Sequence, residues 1–173
     1  MDFFDVVEAR RSVRAFSDAP IGREKLERVL AAARLAPSAG DLQSYCIVVI
    51  EDRQTKTALA AAAWHQKFVA EAPVVLVFCA DPGRSKARYG ARGASLFCLQ
   101  DATLAAAYAQ LAASALGLAS CWVGAFDETA AAAALNAPQG LNPVAIMPIG
   151  WGAEQPERRQ RRALDELVRR GPW

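Results

Sequence analysis

Residues 9 to 16 read A-R-R-S-V-R-A-F, which places Arg10, Arg11 and Arg14 around Ser12 within five positions. Guanidiniums this close repel one another, so the stretch is either a solvated surface turn or a seat for an anion. A second basic group, Arg158, Arg159, Arg161 and Arg162, lies near the far end, partly offset by Glu157, Asp165 and Glu166, and a solvated helix start would explain it equally well. Between them, A-P-S-A-G-D-L-Q-S-Y (residues 36–45) combines small residues with Asp41 and Gln43. Such a loop can approach a ligand closely and offer acceptors and an amide donor, or simply join two elements. Gly124 in C-W-V-G-A-F and Gly150 at the end of V-A-I-M-P-I-G stand where backbone could come near a planar ligand, or where a strand bulges or ends.

The composition narrows what these residues can do. Twenty basic against 18 acidic residues leave a formal charge of +2, short of the wide basic face that nucleic acid demands. The single His65 and the absence of G-x-S-x-G argue against a catalytic triad, and neither a P-loop nor G-x-G-x-x-G is present. Cys46, Cys79, Cys98 and Cys121 are too widely spaced for a zinc template and read as buried reduced thiols. The opening M-D-F-F-D-V-V-E has no basic and apolar leader pattern, so the expected location is the cytoplasm.

With 173 residues, 53% of them apolar, the expectation is one domain over residues 1–173. Its elements alternate. Helices are predicted over about residues 3–10 and over E-K-L-E-R-V-L-A-A-A-R-L, where Leu26, Val29, Leu30 and Ala33 share a face. The second helix stops before Pro37. Strands are predicted at Y-C-I-V-V-I-E-D, at V-V-L-V-F-C-A, which is apolar enough for a buried central strand, at S-C-W-V-G-A-F, and at V-A-I-M-P-I-G. Helices fill residues 55–71, 93–116 and the stretch D-E-T-A-A-A-A-A-L-N. The pattern predicts an α+β or α/β layered domain with helices on both faces of its sheet. The 25 residues between Asp101 and Asp127 carry no charge, yet Gln110, the serines and Gly117 fit a buried helix followed by a strand better than a membrane span. A helix apolar all round needs more cover than a small chain supplies, which points to a subunit interface.

In their order, R-R-S-V-R, A-P-S-A-G-D-L-Q, G-L-A-S-C-W-V-G-A-F, I-G-W and R-R-Q-R-R-A-L-D-E-L resemble the blocks of the nitroreductase family of flavin enzymes, over about residues 6–168. The resemblance implies a central mixed sheet wrapped by helices, in a homodimer with a long buried interface helix and an FMN site built from both subunits. It implies that Arg10, Ser12, Arg159 and Arg161 hold the FMN phosphate, that Arg11 contacts the phosphate or ribityl side, and that Arg14 reaches the ribityl chain and pyrimidine edge. Pro37, Ser38, Ala39, Asp41 and Gln43 match the loop that meets the flavin from the partner subunit. Gly124 and Ala125 match the backbone beside flavin N5, and Gly150 belongs to the same set. Asp41 stands where Asn is usual, and Ser44-Tyr45 replaces Pro-Trp. The implied activity is hydride transfer from NAD(P)H through FMN to a nitroaromatic, quinone or other flat acceptor, with no catalytic side chain and no metal. Alternatives on the same residues are substrate dehydrogenation, reductive dehalogenation, or a non-enzymatic flavin or nucleic-acid binder.

Overall fold

The structure is a computed structural model and describes residues 2–172. Its elements follow in the order α1 (Phe3–Ala9), α2 (Arg23–Arg34), a short 3₁₀ turn (Ala39–Asp41), β1 (Tyr45–Ile50), α3 (Arg53–Ala62), α4 (Phe68–Glu71), β2 (Val74–Ala80), α5 (Pro82–Arg92), a π-helical turn (Gly93–Phe97), α6 (Cys98–Ala115), β3 (Ala119–Ser120), α7 (Glu128–Ala134), β4 (Asn142–Gly150) and α8 (Leu164–Leu167). Aspartates start many of the helices. The side chains of Asp52, Asp81 and Asp127 accept the amides of Thr55, Arg84 and Ala130, and Asp2 and Asp5 cap each other's amides reciprocally.

The sheet runs β1-β2-β4-β3 with antiparallel pairing between its strands. Its parallel component is a bridge between Ser12 and Ser120, which brings the opening basic segment to the edge beside β3. β2 is buried along its whole length, as its composition predicts. Its period of two divides the core. Val74, Leu76 and Phe78 pack with Ala145, Met147 and Ile149 of β4 beneath α2 and α6, while Val75, Val77 and Cys79 meet α3, α4 and α7 on the other face. The two-sided α+β layering expected from the sequence is therefore present.

Helix α6 turns Ala102, Ala105, Ala106, Ala109 and Ala113 toward the core, and these small residues let it lie close against the sheet. Leu99, Leu104 and Tyr108 stand on its open side, 38–40% exposed, so the helix is apolar but covered on one side only. Among the described residues no helix is long and apolar enough to cross a membrane.

Four local expectations change. Residues 55–71 do not form one helix: α3 ends at Ala62, and Trp64 and His65 adopt left-handed backbone (φ 56° and 60°) before α4 begins. The long helix is preceded by α5, whose start Asp81-Pro82 the sequence signals, which is kinked at Gly90 (φ 59°) and joined to α6 by the π-helical turn. The third strand is only Ala119–Ser120; the chain then stays beside β4 as far as an isolated bridge from Val123 to Ile146, with the Cys121 amide donating to the Pro148 carbonyl, and parts from the sheet at Gly124. Cys46 is exposed, whereas the other three thiols are buried, since β1 forms an edge of the sheet.

Candidate functional site

The opening arginines are held by extended backbone. The Val13 amide donates to the Ser120 carbonyl at 3.0 Å, Ser17 donates to Trp151, and Ala153 donates back to Ala15. Val13 is 7% exposed and anchors the segment in the core, while alternation turns Ser12 and Arg14 away from it. The chain leaving β4 then runs beside this segment, and the Glu154 carboxylate accepts the Arg14 amide.

This pairing brings the two ends of the chain together. Arg10, Arg11, Ser12 and Arg14 share a cavity of about 790 Å³ with Arg158, Arg159 and Arg161. Six arginines thus line one space whose only acidic lining residues are Glu8 and Glu157. The ion pairs among the described residues are Arg23–Glu27 and Arg162–Glu166, so the guanidiniums lining the cavity have no carboxylate partner. Arg162, part of the same basic run, turns away to Glu166 at 3.0 Å and is not in the cavity wall. Arg11 donates to the carbonyls of Glu8 and Arg10. The Arg14 guanidinium lies 6.0 Å from the centre of the Phe68 ring.

The loop between α2 and β1 is built differently. Gly40, Asp41 and Gln43 all have left-handed backbone (φ 57°, 55° and 50°), and Pro37, Asp41 and Gln43 are exposed. The Gln43 side chain donates to the Asp41 carboxylate at 3.1 Å, and its amide donates to the Ser38 hydroxyl at 3.0 Å. At Gly40 a Cβ would meet the Tyr89 hydroxyl and the Arg88 guanidinium, so a side chain there would have to displace both. None of Pro37, Ser38, Ala39, Asp41 or Gln43 lines the arginine cavity of the same chain. Tyr45, at the end of the loop, donates its hydroxyl to the Ala33 carbonyl, and burial with the nearby Asp101 raises its pKa above the ordinary phenol value.

Gly124 and Ala125 are exposed. Gly124 borders a small cavity of about 300 Å³ with Leu99 and Phe126, and the Ala125 carbonyl accepts from the Gln66 side chain at 3.4 Å. Gly150 is buried at the end of β4, where a Cβ would lie 2.6 Å from the Pro73 ring and 3.0 Å from Phe16. The space that its missing side chain leaves is taken by the protein's own residues. Sequence reasoning did not single out Gln66, Arg158 as a wall of the cavity, or the contacts of Asp101, Arg84 and Arg88 with the 36–45 loop. Arg158 was legible from its place in the basic run, but nothing local marks the others.

A family model described as the nitroreductase family matches residues 7–67 and 58–151. The chain belongs to the nitroreductase family. It is 31% identical over 165 residues to an oxygen-insensitive NADPH nitroreductase of Salmonella typhimurium, covering 91% of this chain and 69% of that protein. It is 32% identical over 186 residues to an NADH dehydrogenase of Thermus thermophilus, covering 92% and 91%. Among solved structures, the NADPH:FMN oxidoreductase of Vibrio harveyi complexed with NAD+ superposes with a TM-score of 0.90 at 25% identity, covering 99% of this chain and 77% of that one. Nitroreductase membership agrees with the fold: the sheet, its two helical layers and the long α6 all lie within the matched region or beside it.

Proposed function

We propose that this nitroreductase-family protein is an FMN-dependent oxidoreductase that moves hydride from NAD(P)H to a flat conjugated acceptor such as a nitroaromatic or a quinone. The observation that carries the reading is the cavity in which unpaired Arg10, Arg14, Arg159 and Arg161 surround Ser12. Forked guanidiniums beside a hydroxyl suit the several acceptor oxygens of a phosphate monoester, and binding such an anion offsets their mutual repulsion. The names of similar proteins, an NADPH nitroreductase and an NADPH:FMN oxidoreductase, supply the class of cofactor and co-substrate.

FMN, when bound, supplies a carrier that accepts two electrons as hydride and gives them up again. The residues of this chain bind and tune it. Arg10, Ser12, Arg159 and Arg161 hold the phosphate, with Arg158 on the same wall, and Arg11 faces the phosphate or ribityl side. Arg14 would bring its positive charge to the ribityl chain and pyrimidine edge, favouring the reduced flavin. The backbone of Gly124 and Ala125 borders the reacting edge. With FMN bound, Asp41 would offer an acceptor to the pyrimidine N–H, and its negative charge would oppose reduction.

Pro37, Ser38, Ala39, Asp41 and Gln43 come from a second copy of the chain, since in one copy they lie outside the arginine cavity. The open side of α6, with Leu104 and Tyr108, and the solvent-exposed segment 157–172, with Leu164, Leu167 and Val168, supply apolar surface for that homodimer. The test is steady-state oxidation of NADH and NADPH by FMN-loaded protein with a nitroaromatic or quinone acceptor. Parallel double-reciprocal lines are expected, because nucleotide and acceptor use one cleft in turn. FMN-loaded protein that oxidises neither nucleotide would overturn the hydride-transfer reading and favour a dehydrogenase or a carrier.

A further inference from the structure

Asp101 lies in the first turn of α6 and is 1% exposed, yet no lysine or arginine pairs with it among the described residues. A buried, unpaired carboxylate is costly unless backbone donors satisfy it. Both of its oxygens are used in this way: Oδ1 accepts the Ala39 amide at 2.9 Å and Oδ2 accepts the Ser44 amide at 3.1 Å. These amides bracket the left-handed Gly40, Asp41 and Gln43.

The carbonyls of the same loop are held from the other side. Arg84 donates to the Leu42 carbonyl, and Arg88 donates to that of Gly40 at 3.2 Å. Positive φ at Asp41 and Gln43 is strained and persists only where surrounding contacts impose it. A mere connection between α2 and β1 has no need of a buried carboxylate that takes two of its amides, or of two arginines on its carbonyls. A loop that must present Ser38, Asp41 and Gln43 in one fixed arrangement does.

We propose that Asp101 is a positioning residue of the cofactor site: by gripping the amides of Ala39 and Ser44 it holds the loop of residues 38–43 in the left-handed form that meets the flavin. The proposal rests on the FMN reading above. Asp101 touches no cofactor; it acts through the loop, and Asp41 is the group whose placement it controls.

Asp101→Asn keeps the shape of the side chain but replaces one acceptor with an NH₂ that opposes an amide donor. The measurements are the FMN Kd of the apoprotein by flavin fluorescence quenching, the midpoint potential of bound FMN, and circular dichroism to confirm the fold. The expected result is native secondary structure, an FMN Kd raised about tenfold or more, and a more positive potential as the Asp41 charge leaves its place. A tenfold difference between oxidised and reduced affinities would read as about 30 mV for two electrons.

A lower melting temperature with parental Kd and potential would show a purely structural role and overturn the proposal. Failure of the parent protein to bind FMN would instead overturn the function proposed above, and this inference with it. Should the variant not fold, amide exchange in the parent apoprotein decides: slow exchange at Ala39 and Ser44 is expected, and exchange at free-loop rates would overturn the grip.

Discussion

Replacing Arg10 by alanine isolates the contribution of the phosphate seat. Arg10 is half-buried where the 790 Å³ cavity meets a second one of about 460 Å³. It has no carboxylate partner among the described residues, so its removal orphans no buried charge. The loss then reads the anion contact itself, about 1.5–3 kcal/mol for a hydrogen bond to a charged group. At 1.4 kcal/mol per decade this is roughly a 10- to 150-fold rise in the FMN Kd. The assay is quenching of flavin fluorescence, run in parallel with FMN and with riboflavin, which lacks the phosphate. Arg10→Ala is expected to weaken FMN alone, to leave the weaker riboflavin binding near its parental value, and to flatten the salt dependence of FMN binding. Equal losses for both flavins, or FMN binding at the parental level, would refute the assignment of the cavity to the phosphate.

Further predictions follow from other parts of the fold. Ending the chain after Pro156 removes Arg158, Arg159, Arg161 and the exposed apolar residues of α8, so FMN affinity and dimer mass should both fall in titration and light scattering; parental values of both would contradict the roles given to that segment. Gly93→Ala would put a Cβ 2.5 Å from the Ser85 carbonyl oxygen and 2.8 Å from Tyr89 Cβ, an overpacking cost of about 1–3 kcal/mol visible in urea or thermal unfolding. An unchanged melt would show that the π-helical turn relaxes freely. Burial pushes the Cys79 thiol up from 9.0 to about 11. The native state therefore keeps a proton that the unfolded chain loses, and stability should be level below pH 9 and fall by roughly 3 kcal/mol toward pH 11. Cys79→Ala should shrink that alkaline loss without abolishing it, because burial also pushes up the thiols of Cys98 and Cys121. At neutral pH a thiol reagent should modify Cys46 alone in the native protein, and all four cysteines once it is unfolded.

Elements whose periodicity is local were legible in the chain. β2 reads as a buried strand because its seven residues are apolar without alternation, and α2 because Val29 and Ala33 recur at helical spacing and are both fully buried. The break at Trp64-His65 was not legible, since alanines favour helix on both sides and the turn is set by packing of Phe68 and Val69 against the sheet. The third strand is shorter than C-W-V-G-A-F suggests: Ala119 and Ser120 pair with β4, Val123 meets Ile146 in an isolated bridge, and Gly124 to Phe126 pair with nothing in the sheet. The arginine cavity was legible as two basic runs, yet their meeting depends on the parallel bridge at Ser12, which no local pattern encodes. Asp101 was visible only as the end of an uncharged stretch. Its neighbours at i+4 and i+8, Ala105 and Ala109, are fully buried, whereas those at i+3 and i+7, Leu104 and Tyr108, are exposed, so helical spacing alone does not mark Asp101 as buried.

The central claim is hydride transfer through a flavin held by this chain, and the visible absorption spectrum of FMN-loaded protein under anaerobic NADH and then NADPH tests it most directly. The account predicts that the flavin bands bleach with at least one nucleotide and return when a nitroaromatic or quinone is added. Protein that takes up no FMN, or whose bands persist with both nucleotides, would contradict it.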